Sequence, residues 1–146
     1  MNQVSENVKA FFENFDHANN AFEADLLAPL VSDPVVGADP NGGVGVIKKD
    51  DYLAGTAERK AFLSALGFQS VNVVPVEETP LGNDYVLVKV HGTMRLEKIP
   101  GQPIDLVHNA AYILYVKDGS SRIVFTLTHE DPMKMAQERG LLPTNR

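Results

Sequence analysis

The stretch DYVLVKVHGTMRLEK, residues 84–98, decides the fold. Small or apolar side chains alternate along it with mainly polar ones, which is the pattern of a strand with one buried face. The first set comprises Val86, Val88, Val90, Gly92, Met94 and Leu96. The second comprises Tyr85, Leu87, Lys89, His91, Thr93, Arg95 and Glu97. Because unpaired charges are costly to bury, we expect the valine face to point inward.

Outward from this strand, the second half of the chain keeps a period of two. The alternation predicts further strands over Gln69–Glu78, Ile104–Lys117 and Arg122–Glu130. They are connected by the turn sequences PLGN (residues 80–83), PGQP (100–103) and DGSS (118–121). Connections this short predict antiparallel hairpins.

The first half of the chain is predicted to be mainly helical. Phenylalanines and valines at helical spacing predict a helix over Val4–Asn19. Further helices are predicted over Ala21–Leu30, from Asp50 to Leu66 with Gly55 as a possible break, and over Met133–Arg139. Short strands are predicted at Val35–Ala38 and Val44–Ile47. Helices followed by a run of strands predict an α+β fold in which the helices pack on one face of a curved antiparallel sheet.

The composition is that of an ordinary soluble domain, and it argues against several classes of function. With 146 residues, we expect a single domain over residues 1–146. Thirteen basic against 19 acidic residues give a net charge of −6, which argues against nucleic acid as a partner. The chain has no cysteine, so it has no disulfide and no thiolate metal site. The first residues, MNQVSE, lack the basic and apolar pattern of a signal peptide, and no apolar run is long enough to span a membrane. We therefore expect a cytoplasmic protein without a membrane partner.

The inward face of the sheet is a candidate ligand pocket. If Asn109 lies opposite Gly92, the face holds a few polar groups among apolar ones, as small-molecule sites do. Its predicted members on the last two strands are Asn109, Ala111, Ile113, Tyr115, Val124, Thr126, Thr128 and Glu130. A slip of one residue or a bulge would exchange the faces. Glu130 is either an acid or base inside the pocket or a solvated residue at the strand end.

The opposite face mixes histidines, aliphatic side chains and aromatic side chains, which favours a surface for self-association. We predict a homodimer through this outer sheet face. Its predicted interface residues are His91, Arg95, His108, Tyr112, Phe125 and His129. A metal site built from the histidines is the alternative, and we expect no metal and no cofactor.

Two segments carry a resemblance to a known superfamily. The stretch LLAPLVSDPVVGADPNG (residues 26–42), continuing to KKDDYL (48–53), resembles the first-strand region of SnoaL-like and DUF4440-like members of the NTF2-like superfamily. The ending VKDG (116–119) to HEDP (129–132) resembles their terminal hairpin. The resemblance implies an NTF2-like cone, in which long helices back a strongly bent antiparallel sheet.

The resemblance also implies a pocket at the open end of the cone, where enzymatic members carry out cofactor-free proton transfer. Asp39 falls near one carboxylate position of the isomerase pattern, whereas the second position falls near Ala111. The alternative for Asp39 is an ordinary surface turn. The catalytic candidates are Glu130, Asp39 and Asn109. The predicted pocket residues are Phe12, Phe15, Tyr52, Val88, Val90, Met94, Ile113, Tyr115, Thr126 and Thr128.

Two functions remain open at this point. The first is an isomerase, dehydratase or cyclase that acts on an apolar carbonyl compound without a cofactor, with Glu130 or Asp39 as the base. The second is a non-catalytic domain that binds a small apolar ligand or associates with itself. The sequence does not place a second titratable group in the pocket, which favours the second function.

Overall fold

Five α-helices flank the sheet in the computed structural model, which describes residues 4–130 and 132–141. They are α1 (Glu6–Ala21), α2 (Ala24–Leu27), α3 (Lys49–Ala54), α4 (Thr56–Ala65) and α5 (Pro132–Glu138), with a short 3-10 helix at Ala28–Leu30 after α2. The long helix predicted with Asp50 as its N-cap is divided at Gly55, and its N-cap is Lys48, two residues earlier than expected. No helix within the described ranges is long and apolar enough to cross a membrane.

A side-chain cap begins helix α1, and an aromatic contact holds the residue that follows its end. The hydroxyl of Ser5 accepts a hydrogen bond from the backbone N–H of Val8, which caps the first turn. The helix ends at Ala21, and the capping residue Phe22 adopts a left-handed conformation with φ of 52°. The ring of Phe22 packs edge-on against Phe68 at 5.1 Å between centroids. This contact fixes the turn that leads out of α1.

Six strands form one sheet in the order β2-β1-β6-β5-β4-β3. They are β1 (Val35–Ala38), β2 (Val44–Ile47), β3 (Phe68–Leu81), β4 (Tyr85–Leu96), β5 (Ile104–Lys117) and β6 (Ser120–Thr128). All neighbours are antiparallel except β1 and β6, which are parallel. Bulges interrupt the β3–β4 and β5–β6 pairs and bend the sheet. The predicted α+β architecture is therefore confirmed.

The predicted pairing of β5 is wrong by one residue. Asn109 lies opposite His91, and His108 lies opposite Gly92. Directly paired residues share a face, so the inner face of β5 carries His108, Ala110, Tyr112 and Leu114. Asn109, Ile113 and Tyr115 lie on the outer face, not in the pocket.

A bulge on β6 shifts its pairing with β5 by one residue, which cancels the error in β5 for the part of β6 beyond the bulge. Leu114 pairs with Ile123 and Ile113 pairs with Phe125, so Val124 is an extra residue. Beyond the bulge, Thr126 pairs with the inward-facing Tyr112. The predicted inward placement of Thr126 and Thr128 and the outward placement of Phe125 are therefore confirmed, because the two register shifts cancel.

The main core lies between α1 and the valine face of β4, as the alternation predicts. Phe12, Val88 and Leu114 are at most 1 % exposed. A second apolar cluster, formed around Leu66, Leu96 and Leu106, lies near the other end of β4 and includes Ala136 of α5. The two clusters leave a space between them, and that space positions the candidate site.

Side chains of α1 cover the free edge of β3. The side-chain amide of Asn20 both accepts from the N–H of Val71 and donates to its carbonyl, each at 2.8 Å. The carboxylate of Asp16 accepts from the N–H of Val73 at 2.8 Å. Pro75, the next residue of this edge, has no N–H to donate. The helix therefore occupies backbone groups with which another strand would pair.

Candidate functional site

A cavity of about 240 Å³ opens between the C-terminal half of α1, helix α4 and the inner face of β3–β5. We call it the helix cavity. Its apolar lining consists mainly of Phe15, Ala18, Phe22, Leu27, Leu63, Phe68, Val71, Val73, Met94, Leu106 and Met135. Its polar lining consists of Asn19, Glu23, Thr56, Arg59, His108 and Tyr112. An apolar wall with a few polar groups is the usual composition of a small-molecule site, although this volume is below the range of roughly 300–1,000 Å³ typical of such sites.

His108 extends into this cavity from β5 because its partner across the strands is a glycine. A Cβ placed on Gly92 would lie only 2.5 Å from Nε2 of the imidazole. Burial lowers the pKa of His108, an effect that the nearby Glu130 opposes and His91 reinforces. Within the described part of the chain, neither ring nitrogen has a hydrogen-bond partner. A neutral imidazole with a free donor and a free acceptor therefore lies at the cavity.

Tyr112 follows on the same face of β5 and is held by aromatic contacts. Its ring lies 5.5 Å from that of Phe12 and 5.8 Å from that of Phe15. Burial raises the pKa of Tyr112 far above its ordinary value, and the charges of Tyr52 and Asp16 raise it further. The phenol therefore stays protonated and is available as a hydrogen-bond donor.

Arg59 of α4 is fixed at the cavity by three contacts. Its guanidinium donates to the carbonyl of Tyr52 at 3.1 Å and to the hydroxyl of Thr56 at 3.0 Å. It also lies over the Tyr52 ring, 4.6 Å from the centroid. The buried Thr56 hydroxyl in turn donates to the carbonyl of Leu53 at 2.7 Å. Burial raises the pKa of Tyr52, and the charge of Arg59 partly offsets this effect.

A second depression, the hairpin groove, lies beside the β1–β2 hairpin and has a volume of about 450 Å³. It shares Phe15 and Tyr112 with the helix cavity and is also lined by Tyr52 and Thr126. Two of its β2 lining residues, Val46 and Ile47, are 67 % and 42 % exposed. The groove is thus open to water, and the helix cavity is the better-formed site.

The three catalytic candidates from the sequence lie outside the helix cavity. Asp39 is an exposed turn residue whose carboxylate accepts from the N–H groups of Asn41 and Gly43 at 2.8 and 2.9 Å. Glu130 accepts from the backbone N–H of Asn109 at 2.6 Å and from its side-chain amide at 3.3 Å. The structure thus brings Glu130 and Asn109 together at the end of β6. The carboxylates of both Asp39 and Glu130 accept hydrogen bonds from nearby groups of the protein itself.

The predicted pocket residues divide among five places. Phe15 and Met94 line the helix cavity, whereas Tyr52 and Thr126 line the hairpin groove, which Phe15 also borders. Thr128 borders a shallow depression next to Asp39. The remaining residues are Phe12, Val88 and Val90 in the solid core, and Ile113 and Tyr115 on the outer face.

The residues predicted for a dimer interface also divide. His91, Arg95 and Phe125 lie on the outer face, and His129 is exposed at its edge. His108 and Tyr112 were placed there wrongly, because the one-residue shift in β5 turns them inward. Arg95 forms a two-pronged ion pair with Asp105 at 2.8 and 3.0 Å, which lowers the pKa of that carboxyl. No group of three or more His, Asp or Glu side chains in residues 4–130 and 132–141 is arranged to hold a metal ion.

Sequence reasoning missed His108 and Arg59 as cavity residues. The signal for His108 was present, because a glycine inside a strand of valines marks the close approach of another group. Only the correct pairing of β4 with β5 shows that the group next to Gly92 is His108. No sequence pattern marked Arg59, which lies on α4 just after the break at Gly55.

Comparisons with known proteins reveal similarity in structure alone. No protein-family model and no curated protein sequence matches the chain. An NTF2-like protein of unknown function from Shewanella oneidensis superposes with a TM-score of 0.66 at 13 % identity, covering 84 % of this chain and 96 % of the other.

Two further neighbours have names that mention a narrower class. A protein with a ketosteroid isomerase-like fold from Catenulispora acidiphila, solved with trimethylamine, gives a TM-score of 0.57 at 16 % identity and covers 97 % and 96 % of the two chains. A candidate SnoaL-like polyketide cyclase from Shewanella denitrificans gives 0.57 at 13 % identity, covering 91 % and 96 %. The narrower DUF4440-like resemblance stays a prediction. The chain has the NTF2-like fold.

Proposed function

We propose that this chain binds a compact, largely apolar organic molecule in the helix cavity, with a polar group of the ligand beside His108. The observation that carries the proposal is the state of that imidazole. It faces an apolar cavity, burial keeps it neutral, and it has no hydrogen-bond partner among the described side chains and backbone groups. Its ring nitrogens are not among the fully buried polar atoms, so they are accessible to a ligand hydroxyl or carbonyl group, which is the expected partner.

The proposal predicts that filling the cavity abolishes binding. Ala18 lines the cavity and is 2 % exposed, so Ala18→Leu should place extra methyl groups in the ligand space. Ala10→Leu, on the exposed side of the same helix, is the matched control. Calorimetric titration with a cyclic ketone such as tetralone should give saturable binding to the wild type and to the control, but not to Ala18→Leu. Equal binding by all three would refute the cavity as the site.

A second candidate function is acid–base catalysis by the same histidine. A neutral imidazole can accept a proton from the carbon next to a ligand carbonyl and return it to another carbon or to an oxygen. This role moves the base from Glu130 and Asp39, which lie elsewhere, to His108. In deuterated water, the protein would then speed exchange of the tetralone hydrogens next to the carbonyl, and His108→Asn would remove that effect. Binding without exchange would favour the non-catalytic ligand-binding function.

We also propose that the chain forms a homodimer through the outer sheet face. Large apolar side chains on or near that face are solvent-exposed in the single chain: Tyr85 is 45 %, Val107 42 % and Leu127 37 % exposed. Ion pairs border the same face, between Arg95 and Asp105 and between Lys89 and Glu77. An apolar patch with charged residues around it is typical of association surfaces.

A further inference from the structure

The helix cavity contains a fixed cation with no anion beside it. Among the residues that the structure describes, no Asp or Glu forms an ion pair with Arg59. The guanidinium uses two of its five N–H groups, on the carbonyl of Tyr52 and the hydroxyl of Thr56. Three donors remain for a group outside the protein.

The guanidinium is held in place before any ligand arrives. The Tyr52 ring supports one of its faces, and the Thr56 hydroxyl that accepts from Arg59 is itself oriented by the carbonyl of Leu53. Gly55 leaves the necessary room, since a Cβ there would lie 3.2 Å from Nη1. A side chain ordered in this way loses little entropy when it binds, which favours a planar two-oxygen partner.

We infer that the ligand of the helix cavity is a compact, largely apolar carboxylic acid, bound as its carboxylate by Arg59 with its hydrocarbon body in the cavity; the polar group beside His108 is then a second group of the same ligand. The inference rests on the proposed function and names the class of the ligand. A carboxylate matches the fork of donors on a guanidinium, and hydrogen bonds between two charged groups are stronger than those to a neutral oxygen. The apolar walls around Leu63, Phe68 and Leu106 take up the rest of the molecule.

Glu23 is the acidic residue in the cavity lining, and it works against an anionic ligand. It is exposed and forms no ion pair with Arg59 in the described part of the chain. Water therefore screens its charge, whereas the half-buried Arg59 is screened less. The expected preference for an acid over a neutral ligand is consequently moderate, on the order of tenfold.

The test compares cyclohexanecarboxylate with cyclohexanecarboxamide, which has nearly the same shape but no charge. Calorimetric titration of the wild type should show about tenfold tighter binding of the acid. Arg59→Gln should remove this difference by weakening the binding of the acid much more than the binding of the amide. Arg59→Lys, which keeps the charge but not the fork, should retain part of the preference. Thermal melting of both variants checks that they remain folded.

Each contrary outcome has a separate meaning. If both compounds bind the wild type equally, or if the preference survives in Arg59→Gln, the carboxylate inference is wrong while the ligand cavity stands. If neither compound nor the tetralone binds, both the inference and the proposed function fail. Tighter binding of hexadecanoate than of cyclohexanecarboxylate would overturn the assignment to a compact acid in favour of a long-chain lipid.

Discussion

The imidazole of His108 occupies the space that any side chain at position 92 would need. The two residues lie directly opposite each other on β4 and β5, and a Cβ on Gly92 would lie 2.5 Å from Nε2 of the ring. The glycine therefore determines where the histidine points, and with it the character of the helix cavity.

We expect Gly92→Ala to destabilise the protein by about 1–3 kcal/mol, because the added methyl group overlaps the ring and forces it out of position. Gly45→Ala is the matched control, since nothing lies within 4 Å of a Cβ there. The control should be neutral or slightly stabilising through the unfolded state. Urea unfolding measures both variants. Equal stability of the two would contradict the packing of His108 against Gly92.

Acidification should destabilise the wild type through His108. Burial lowers the pKa of this group in the folded state below the ordinary 6.5. As the pH falls through 6.5, the unfolded chain takes up a proton that the folded chain does not, so the free energy of unfolding decreases. His108→Gln should lose less stability over that interval, whereas His17→Gln, on the exposed side of α1, controls for the loss of a histidine elsewhere. The same pH dependence in wild type and His108→Gln would contradict a neutral buried imidazole.

The stabilising effect of the hydrogen bonds between α1 and β3 should be measurable by substituting Asn20. Asn20→Ala removes both hydrogen bonds to Val71, and we expect it to lower the free energy of unfolding by about 1 kcal/mol relative to Asn14→Ala. Asn14 is exposed on the same helix, so it gains the same helix propensity without losing a contact. Urea unfolding of both variants gives the difference. No difference would mean that the Asn20 amide does not hold the edge of β3.

The homodimer proposal is tested by placing a charge on the outer face. Phe125→Glu should convert the protein from a dimer to a monomer in light scattering, because an unpaired carboxylate would be buried between the subunits. Ile99→Glu, in the turn between β4 and β5, is the control and should stay dimeric; Ile99 is 57 % exposed. A wild type that is already a monomer, or a Phe125→Glu variant that stays a dimer, would contradict the proposal.

Local sequence patterns predicted most of the fold. The alternation in residues 84–98 identified the inward face of β4 correctly, because burying the charged side chains of Lys89, Arg95 and Glu97 on the other face would have been costly. The phenylalanine stripe of α1 and the glycine break between α3 and α4 were also predicted, since each depends on residues close together in the chain. The parallel pairing of β1 with β6 joins distant segments and had no such local signal.

The candidate site was harder to predict because it depends on register. Both faces of β5 carry a similar mixture, with His108 and Tyr112 on one and Asn109 and Tyr115 on the other. The turn after β4 therefore had to be placed to within one residue, and its two prolines and one glycine allow several lengths. The bulge at Val124 was equally hidden, since its neighbours alternate normally. The same register error therefore placed Asn109 on the inner face, and it placed the core residue Tyr112 on the outer face.

The most direct test of the central claim is an NMR titration that observes the histidine ring signals. In protein labelled at its histidines, addition of tetralone should shift the resonances of His108 in a saturable manner, because the ligand lies beside that ring. The resonances of His17, on the exposed side of α1, should not move. Saturable binding that leaves the His108 signals unchanged, or no saturable binding at all, would contradict the account of the helix cavity.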